Sequence, residues 1–130
     1  MQAVPYLVII PTYNEKENIE KIIRAVVNQE IPFHVLIVDD GSPDGTGAIV
    51  KELQKAMPHR VHLIEREGKQ GLGTAYIAGF DYCLSKGYDY IFEMDADFSH
   101  NPLDLPRLLS ACKDDGYDFA IGSRYIKGGK

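Results

Sequence analysis

The sequence predicts an α/β fold in which helices cover both faces of a mostly parallel β-sheet. Short apolar runs alternate along the chain with longer segments whose apolar residues recur every three or four positions. The first run, residues 6–10, is apolar at every position, as is typical of a strand that is buried on both sides. Both observations favour parallel strands joined by helical crossovers.

Five strands are predicted, each a short apolar run that leads into a turn or loop. In chain order they cover residues 6–10, 34–38, 61–64, 90–94 and 117–122. Right-handed crossovers place the segments that follow parallel strands at one edge of the sheet. We therefore expect residues 11–15, 39–45 and 95–99 to converge on a single crevice.

Helical segments are predicted between the strands. The first has Asn14 as its N-cap and acidic residues in its first turn. The second begins near Thr46 and stops before Pro58, the third ends at Gly87, and the fourth is short, with Pro106 in its first turn. The apolar residues at helical spacing are Ile19, Ile22, Ile23, Val26 and Val27; Ile49, Val50, Leu53, Ala56 and Met57; Leu72, Ala75, Tyr76, Phe80, Cys83 and Leu84; and Leu105, Leu108, Leu109 and Cys112.

Composition and charge indicate one soluble globular domain over residues 1–130, with 45% hydrophobic and 25% charged residues. The net charge of −5 argues against a nucleic-acid partner, because no basic stripe is present to neutralise a phosphate backbone. Cys83 and Cys112 fall on apolar helix faces, which favours buried thiols over a disulfide and fits a reducing cytosol. Without a membrane-span or signal-peptide pattern, we expect a protein of the cytoplasm or of the cytoplasmic face of a membrane.

Asp95 and Asp97 stand one residue apart where the fourth predicted strand ends. Two carboxylates repel each other there unless a cation lies between them, and open α/β sheets bind ligands at the carboxyl ends of their strands. A hard divalent ion such as Mg²⁺ or Mn²⁺ prefers carboxylate oxygens and keeps substrate phosphate among its ligands, and Ser99 could add a hydroxyl. The pair therefore indicates metal-assisted chemistry on a phosphorylated small molecule, with a solvated acidic turn as the alternative.

The segments after the first two strands carry a carboxylate and an aromatic ring. Asp40 follows the second strand, where it can accept a hydrogen bond from a nucleobase N–H or a ribose hydroxyl. Beside it, Ser42 or Asp44 is expected to cap the following helix, and the neighbouring glycines supply turn geometry. Tyr13 either fills the core or offers a platform for a base, and Glu15 alone indicates no more than a favourable charge in the first turn of a helix.

Two further segments contain candidate phosphate ligands. Residues 68–73 are glycine-rich but match neither the Walker spacing nor the dinucleotide fingerprint, so helix entry and close packing explain the glycines, while Lys69 could reach a phosphate. Arg124 follows the fifth strand, where its planar fork matches a diphosphate, and a solvated surface arginine is the alternative. No histidine has a second histidine at metal-ligand spacing, so all four are predicted to be structural, strand or surface residues. They are His34, His59, His62 and His100.

In this order the motifs resemble those of family-two glycosyltransferases, which have the A-type, Rossmann-like fold. The resemblance spans almost the whole chain and is closest to the dolichol-phosphate and polyprenol-phosphate mannose synthases. Many members of the family share the aspartate-rich turn and the Asp-x-Asp, whereas the combination of residues 94–100 with Gly-Ser-Arg-Tyr at 122–125 is more specific to the polyprenol-phosphate branch. The matching segments are residues 9–15, 38–46, 71–75, 94–100 and 122–125.

The resemblance implies a role for individual residues. Asp97 would be the main ligand of Mg²⁺ or Mn²⁺, together with Asp95 and with Ser99, which stands where some relatives carry Gln. Asp95, Asp97 and Arg124 would be the catalytic residues, with Arg124 at the donor phosphates. The residues that would hold a nucleotide-sugar donor, usually GDP-mannose, are Pro11, Tyr13, Glu15, Val38, Asp40, Asp95, Ala96, Asp97 and Arg124.

The implied activity is an inverting, metal-dependent transfer of a hexose, most often mannose, from GDP-mannose to dolichyl or polyprenyl phosphate. Since the acceptor phosphate is already anionic at neutral pH, no strong general base is needed. The alternatives are a family-two transferase with a UDP-sugar donor, a catalytically incomplete nucleotide-binding fragment and, on fold alone, a nucleotidyltransferase. Members of the family continue past residue 130, so we expect a truncated, donor-binding part of an enzyme whose further elements make a peripheral membrane contact.

Overall fold

The computed structural model describes residues 6–67, 72–86, 88, 90–96, 105–107, 110, 119–121 and 124–126. The strands within these residues are β1 (Tyr6–Thr12), β2 (His34–Asp39), β3 (Val61–Glu65), β4 (Tyr90–Glu93), β5 (Phe119–Ile121) and β6 (Arg124–Ile126). The helices between them are α1 (Ile19–Val27), α2 (Thr46–Ala56) and α3 (Leu72–Lys86). The element order matches the predicted alternation of strands and helices.

The sheet is parallel except at one edge. Within the described residues its strand order is β3-β2-β1-β4-β5-β6. The pairs β1–β2, β1–β4, β2–β3 and β4–β5 are parallel, and β6 runs antiparallel to β5. The chain therefore leaves β1 first toward β2 and later returns on its other side as β4, which creates a topological switch point at the carboxyl end of β1. The predicted mostly parallel sheet is confirmed.

Two apolar layers cover the sheet, one on each face. Along β1, Val8 and Ile10 pack in the layer of α1 and α2, while Leu7 and Ile9 pack in the layer of α3. The alternation puts every one of these four side chains out of contact with solvent. The residues that α1 buries are those predicted from helical spacing, namely Ile19, Ile22, Ile23, Val26 and Val27. Helices on both faces, as predicted, are confirmed.

Helix α3 approaches β1 closely through small residues. A Cβ atom added to Gly79 would lie 2.8 Å from two carbon atoms of the Ile9 side chain. Ala75 and Cys83, one helical turn to either side of Gly79, are also buried, and Cys83 is a free thiol. Leu84 is 72% exposed, so its predicted place in the apolar stripe is wrong. The inward face of α3 is formed by the small residues instead.

Helix α1 begins four residues later than predicted, with Asn18 rather than Asn14 at its N-cap position. Asn14 was expected as its N-cap, but it has a positive φ of 56° and belongs to a bend. The carbonyl of Glu15 accepts hydrogen bonds from the N–H groups of Asn18 and Ile19, which forms a turn before the helix. The second helix begins at Thr46 as predicted, although Ala56 at its end is exposed rather than buried.

The last predicted helix and strand are described only in part. Residues 105–107 are helical and Leu105 is buried, which agrees with the prediction. The fifth strand is shorter than predicted and is followed by β6, so Arg124 begins a further strand. Predicted apolar or capping residues that lie outside the described residues are Gly87, Leu108, Leu109 and Cys112. None of the helices described is both long and apolar enough to cross a membrane.

A histidine–tyrosine cluster connects the amino ends of β2 and β3 to the end of α3. Tyr88 Oη lies 2.9 Å from Nδ1 of His34 and 3.3 Å from Nε2 of His62, and Tyr82 Oη lies 3.0 Å from Nδ1 of His62. Burial, together with the charges of His62, Arg60 and His59, lowers the pKa of His34 to about 4. Two histidines with separate predicted positions, His34 and His62, therefore belong to one hydrogen-bonded cluster in which burial disfavours their charged forms.

Candidate functional site

The ends of β1, β2 and β4 bring the predicted segments to one edge of the sheet. Thr12 lies opposite Asp39 in the β1–β2 register, and the N–H of Asp40 donates to the carbonyl of Thr12 at 3.1 Å. On the other side of β1, the N–H of Met94 donates to the carbonyl of Ile9 at 3.0 Å. Residues 11–15 and 39–45 thus lie side by side, and residues 95 and 96 follow β4 at the same edge.

Side chains after β2 bind three consecutive backbone amides after β1. The N–H groups of Asn14, Glu15 and Lys16 donate to Ser42 Oγ at 2.8 Å, Thr46 Oγ1 at 3.0 Å and Asp44 Oδ2 at 3.1 Å, respectively. These contacts fix the backbone of residues 14–16 against the start of α2. Asparagine tolerates the positive φ seen at Asn14, and the contact with Ser42 holds the backbone in that conformation.

The turn after β2 is built around Asp39, which is 2% exposed. Its carboxylate accepts hydrogen bonds from Thr12 Oγ1 at 2.6 Å, Ser42 Oγ at 2.7 Å and the Ser42 N–H at 3.0 Å. Asp44 accepts from the N–H of Thr46 at 3.0 Å, so it binds the first amide of α2 as predicted. The N-cap position itself is Gly45, whose φ of 96° requires glycine. Asp39 and Asp44 therefore shape the turn.

Asp40, the predicted nucleoside ligand, forms a buried ion pair. Its Oδ1 accepts a hydrogen bond from Nε of Arg66 at 2.7 Å, and the two side chains are 9% and 11% exposed. The Arg66 Nη1 also donates to Thr74 Oγ1 of α3 at 3.0 Å. Arg66 was not among the predicted site residues, although its position directly after β3 places it at the same edge of the sheet by the rule used for the other strands.

Acidic side chains are concentrated at the end of β4. The hydroxyl of Tyr76 lies 3.5 Å from Oδ1 of Asp95, at the long limit for a hydrogen bond. Burial and the charges of Asp95 and Glu93 raise the pKa of the Tyr76 hydroxyl above its usual range. Burial and the charge of Asp95 likewise raise the pKa of Glu93. Negative charge here is costly, which favours binding of a cation.

The other predicted donor residues differ in accessibility. Tyr13 is 36% exposed and available to a ligand, and Pro11 and Glu15 are partly exposed. Val38 is fully buried and Ala96 is 3% exposed, so their side chains pack in the core. Any contact that Val38 or Ala96 makes with a ligand has to come from its main chain.

Three predicted site residues are described less completely. Asp97 and Ser99 lie outside the described residues. The backbone of Arg124 pairs with Ile121 of β5, which in turn pairs with Glu93 of β4. The backbone of Arg124 is therefore in the same row as the last residue of β4. In the portion of the chain that is described, no group of three or more His, Cys, Asp or Glu side chains forms a metal site.

Known proteins resemble this chain in sequence and in fold. The family model described as Glycosyl transferase family 2 matches residues 7–130. The chain is 58% identical over 123 residues to a polyprenol monophosphomannose synthase of Mycolicibacterium smegmatis, covering 95% of this chain and 46% of that protein. It is 48% identical over 124 residues to an undecaprenyl-phosphate mannosyltransferase of Micrococcus luteus, covering 95% and 50%.

A solved structure has the same fold. It is a mannosyltransferase from Pyrobaculum calidifontis in complex with GDP-Man and Mn²⁺, with a TM-score of 0.73, 26% identity and coverage of 85% of this chain and 32% of that one. The A-type glycosyltransferase fold implied by the motifs is confirmed. The chain spans about half the length of the two curated relatives described above. With a family match over nearly its whole length, the chain belongs to glycosyltransferase family 2.

Proposed function

We propose that this chain is the donor-binding part of an inverting, metal-dependent glycosyltransferase that transfers mannose from GDP-mannose to a polyprenyl or dolichyl phosphate. One observation carries the proposal: Asp40 and Asp95 follow the two strands that flank β1, at the same edge of the sheet, in a chain 58% identical to a polyprenol monophosphomannose synthase. Ligands of open α/β sheets bind at such a switch point.

In this proposal the nucleoside binds beside the ends of β1 and β2. The Asp40 carboxylate accepts a hydrogen bond from a base N–H or a ribose hydroxyl, and the exposed ring of Tyr13 stacks on the base. Pro11 and Glu15 complete the subsite from the first loop, and Val38 contributes its main chain. The amide contacts of residues 14–16 support this role, because they hold the first loop in place before a ligand arrives.

Asp95, Asp97 and Ser99 are the residues that would hold Mg²⁺ or Mn²⁺, and their all-oxygen donor set suits a hard cation. Burial raises the pKa values of Tyr76 and Glu93, and the charge of Asp95 raises them further, so a cation beside Asp95 would be favourable at this end of β4. When bound, the metal would neutralise charge on the departing diphosphate. The planar guanidinium of Arg124 binds the same diphosphate, and the main chain of Ala96 lines the site.

The proposed reaction is a single in-line displacement. An oxygen of the lipid phosphate forms a bond to the anomeric carbon, on the face opposite the diphosphate. The bond between that carbon and the diphosphate oxygen breaks, and GDP leaves with the electron pair. One displacement inverts the anomeric centre. Since the attacking phosphate oxygen carries no proton that must be removed, the protein residues act by binding, orienting and neutralising charge.

The acceptor places the proposed reaction at a membrane surface. A polyprenyl phosphate is a membrane lipid, so the proposal includes a peripheral membrane contact and the cytoplasmic location expected from the sequence. A nucleotide sugar and a lipid phosphate are the two partners that this activity requires.

Isothermal titration calorimetry of the folded chain tests the proposal. We expect GDP and GDP-mannose to bind more tightly with Mn²⁺ than without it, and more tightly than UDP and UDP-glucose. A preference for the uridine nucleotides would identify the UDP-sugar alternative. If no nucleoside diphosphate binds, with or without metal, donor recognition is ruled out. Turnover is then measured on a polyprenyl phosphate, where binding without turnover in the full-length enzyme would favour a nucleotide-binding module.

A further inference from the structure

We propose that Arg66 is a positioning residue of the donor site, which holds the Asp40 carboxylate in the orientation that recognises the nucleoside. This inference rests on the proposed role of Asp40 in nucleoside binding. It assigns a function to a residue that follows β3 and that none of the sequence motifs includes.

The Asp40–Arg66 pair differs from the other ion pairs in the described residues by its burial. The side chains of Arg66 and Asp40 are 11% and 9% exposed, at an Nε–Oδ1 distance of 2.7 Å. The remaining pairs have side chains that are about half exposed or more, and they are Arg24–Glu20, Lys51–Glu65 and Lys55–Glu52. Exposed pairs of that kind contribute little, whereas loss of one partner from a buried pair leaves an uncompensated charge.

Arg66 is itself held by contacts with two other elements. Its backbone N–H donates to the carbonyl of Asp39 at 2.8 Å, which continues the β2–β3 pairing by one residue. Its Nη1 donates to Thr74 Oγ1 in the first turn of α3 at 3.0 Å. The guanidinium thus uses one nitrogen for the carboxylate and another for the helix. A lysine ammonium has the same charge but a single nitrogen on a flexible stem, so it cannot reproduce both contacts in this geometry.

Asp40 is held in place by two contacts, one to its backbone and one to its side chain. Its backbone N–H is bound to the carbonyl of Thr12 at 3.1 Å, and its side chain is bound by Arg66. An acceptor group that is fixed before the ligand arrives loses less conformational freedom on binding. The contact between Arg66 and Thr74 also brings the start of α3 next to the residue that binds Asp40.

The test compares Arg66→Lys with the wild type in binding GDP and inorganic pyrophosphate, both with Mn²⁺. We expect Arg66→Lys to weaken GDP binding at least about tenfold and to change pyrophosphate binding less than about twofold. Arg24→Lys, in an exposed pair on α1, is the matched control and should alter neither. Equal losses for GDP and pyrophosphate would overturn the inference, because they would show a general disturbance of the site.

A double-mutant cycle with Asp40→Asn separates positioning from a purely structural role. If Arg66 acts through Asp40, then Arg66→Lys has no further effect on GDP binding in the Asp40→Asn background, whereas additive losses contradict the inference. If Arg66→Lys does not fold, Thr74→Val is measured in its place. A loss of about threefold in GDP affinity, without a matching loss in pyrophosphate affinity, supports the inference, and unchanged GDP affinity overturns it. Failure of the wild type to bind GDP or UDP would instead refute the proposed function.

Discussion

Thr12 and Asp39 are joined by a 2.6 Å hydrogen bond in which the threonine hydroxyl donates to a carboxylate that is 2% exposed. The same carboxylate accepts from the hydroxyl and the N–H of Ser42, so one buried side chain connects the end of β1 to the turn after β2. These contacts give Asp39 a role in stability, which is distinct from the ligand role proposed for the adjacent Asp40.

Asp39→Ala should therefore lower the free energy of unfolding by about 2–4 kcal/mol, because three donors lose their buried acceptor. Urea unfolding followed by circular dichroism measures this change. Asp81→Ala, on the exposed face of α3, is the control and should change stability by less than about 0.5 kcal/mol. Losses of the same size in both variants would contradict a special role for Asp39.

Gly79→Ala should destabilise the protein although alanine is the better helix former. The added Cβ would lie 2.8 Å from two side-chain carbons of buried Ile9, and overpacking outweighs the gain in helix propensity by ~1–2 kcal/mol. Gly73→Ala is the matched control in the same helix, since nothing lies within 4 Å of its added Cβ. Thermal unfolding should show a lower midpoint for Gly79→Ala alone, and recovery of that midpoint in Gly79→Ala/Ile9→Val would identify Ile9 as the cause.

His34 should make stability depend on pH between about 6.5 and about 4. Its pKa is lowered in the folded protein to about 4 from 6.5, so the unfolded chain binds a proton first as the pH falls. The stability from the neutral side chain is complete above pH 6.5 and decreases toward pH 4, by at most about 3 kcal/mol. Urea unfolding of His34→Gln should show a shallower decrease over this range. Exposed His59→Gln should depart from the wild type much less, because the charge of His59 is the smallest cause of the lowered pKa of His34. Parallel profiles for the wild type and His34→Gln would disprove the assignment.

Asp97→Ala should abolish the Mn²⁺-dependent part of GDP binding and leave the fold intact. Removing one of two carboxylates that repel each other should not harm the core, whereas the proposed cation would lose its proposed main oxygen ligand. Calorimetry with and without Mn²⁺ measures the difference, with Asp81→Ala as a charge-matched control. If Asp97→Ala binds GDP and Mn²⁺ as the wild type does, the metal site has been assigned to the wrong residue.

Arg124→Ala should weaken GDP binding more than guanosine binding, because its guanidinium is proposed to contact only the diphosphate. We expect the affinity for GDP, divided by the affinity for guanosine, to fall at least about fivefold in Arg124→Ala. Equal losses for the two ligands would indicate a structural arginine. Arg24→Ala controls for the loss of one positive charge on the protein surface.

The sequence predicted those parts of the fold that depend on local periodicity. Strands β2 and β3 and the start of α2 at Thr46 follow from apolar runs and turn residues close to them in the chain. The meeting of the first two loops followed from the rule that parallel strands present their carboxyl ends at one edge. On that basis Asp40 could be selected as a candidate ligand, whereas the role of Tyr13 came from the resemblance to the family.

The remaining features depend on contacts between distant residues. The start of α1 was misplaced because the Asn14 amide binds Ser42, 28 positions away, which no local signal for helix capping includes. Arg66 was missed because its position after β3 places it at the right edge of the sheet but does not distinguish a buried partner of Asp40 from a surface arginine. Leu84 was assigned to the core by its spacing, but α3 contacts β1 through Ala75, Gly79 and Cys83, whose small size the pattern undervalued.

The pairing of β1 also sets the order in which the crevice can assemble. The β1–β2 pairing joins residues that are close in the sequence, such as Leu7 and His34. The β1–β4 pairing joins residues that are much farther apart, such as Tyr6 and Tyr90. Closing the longer loop costs more chain entropy, so the β1–β2 contacts can form while β4 is still unfolded. Since Asp40 precedes Asp95 in the sequence, the side of the crevice that carries Asp40 is also synthesised first.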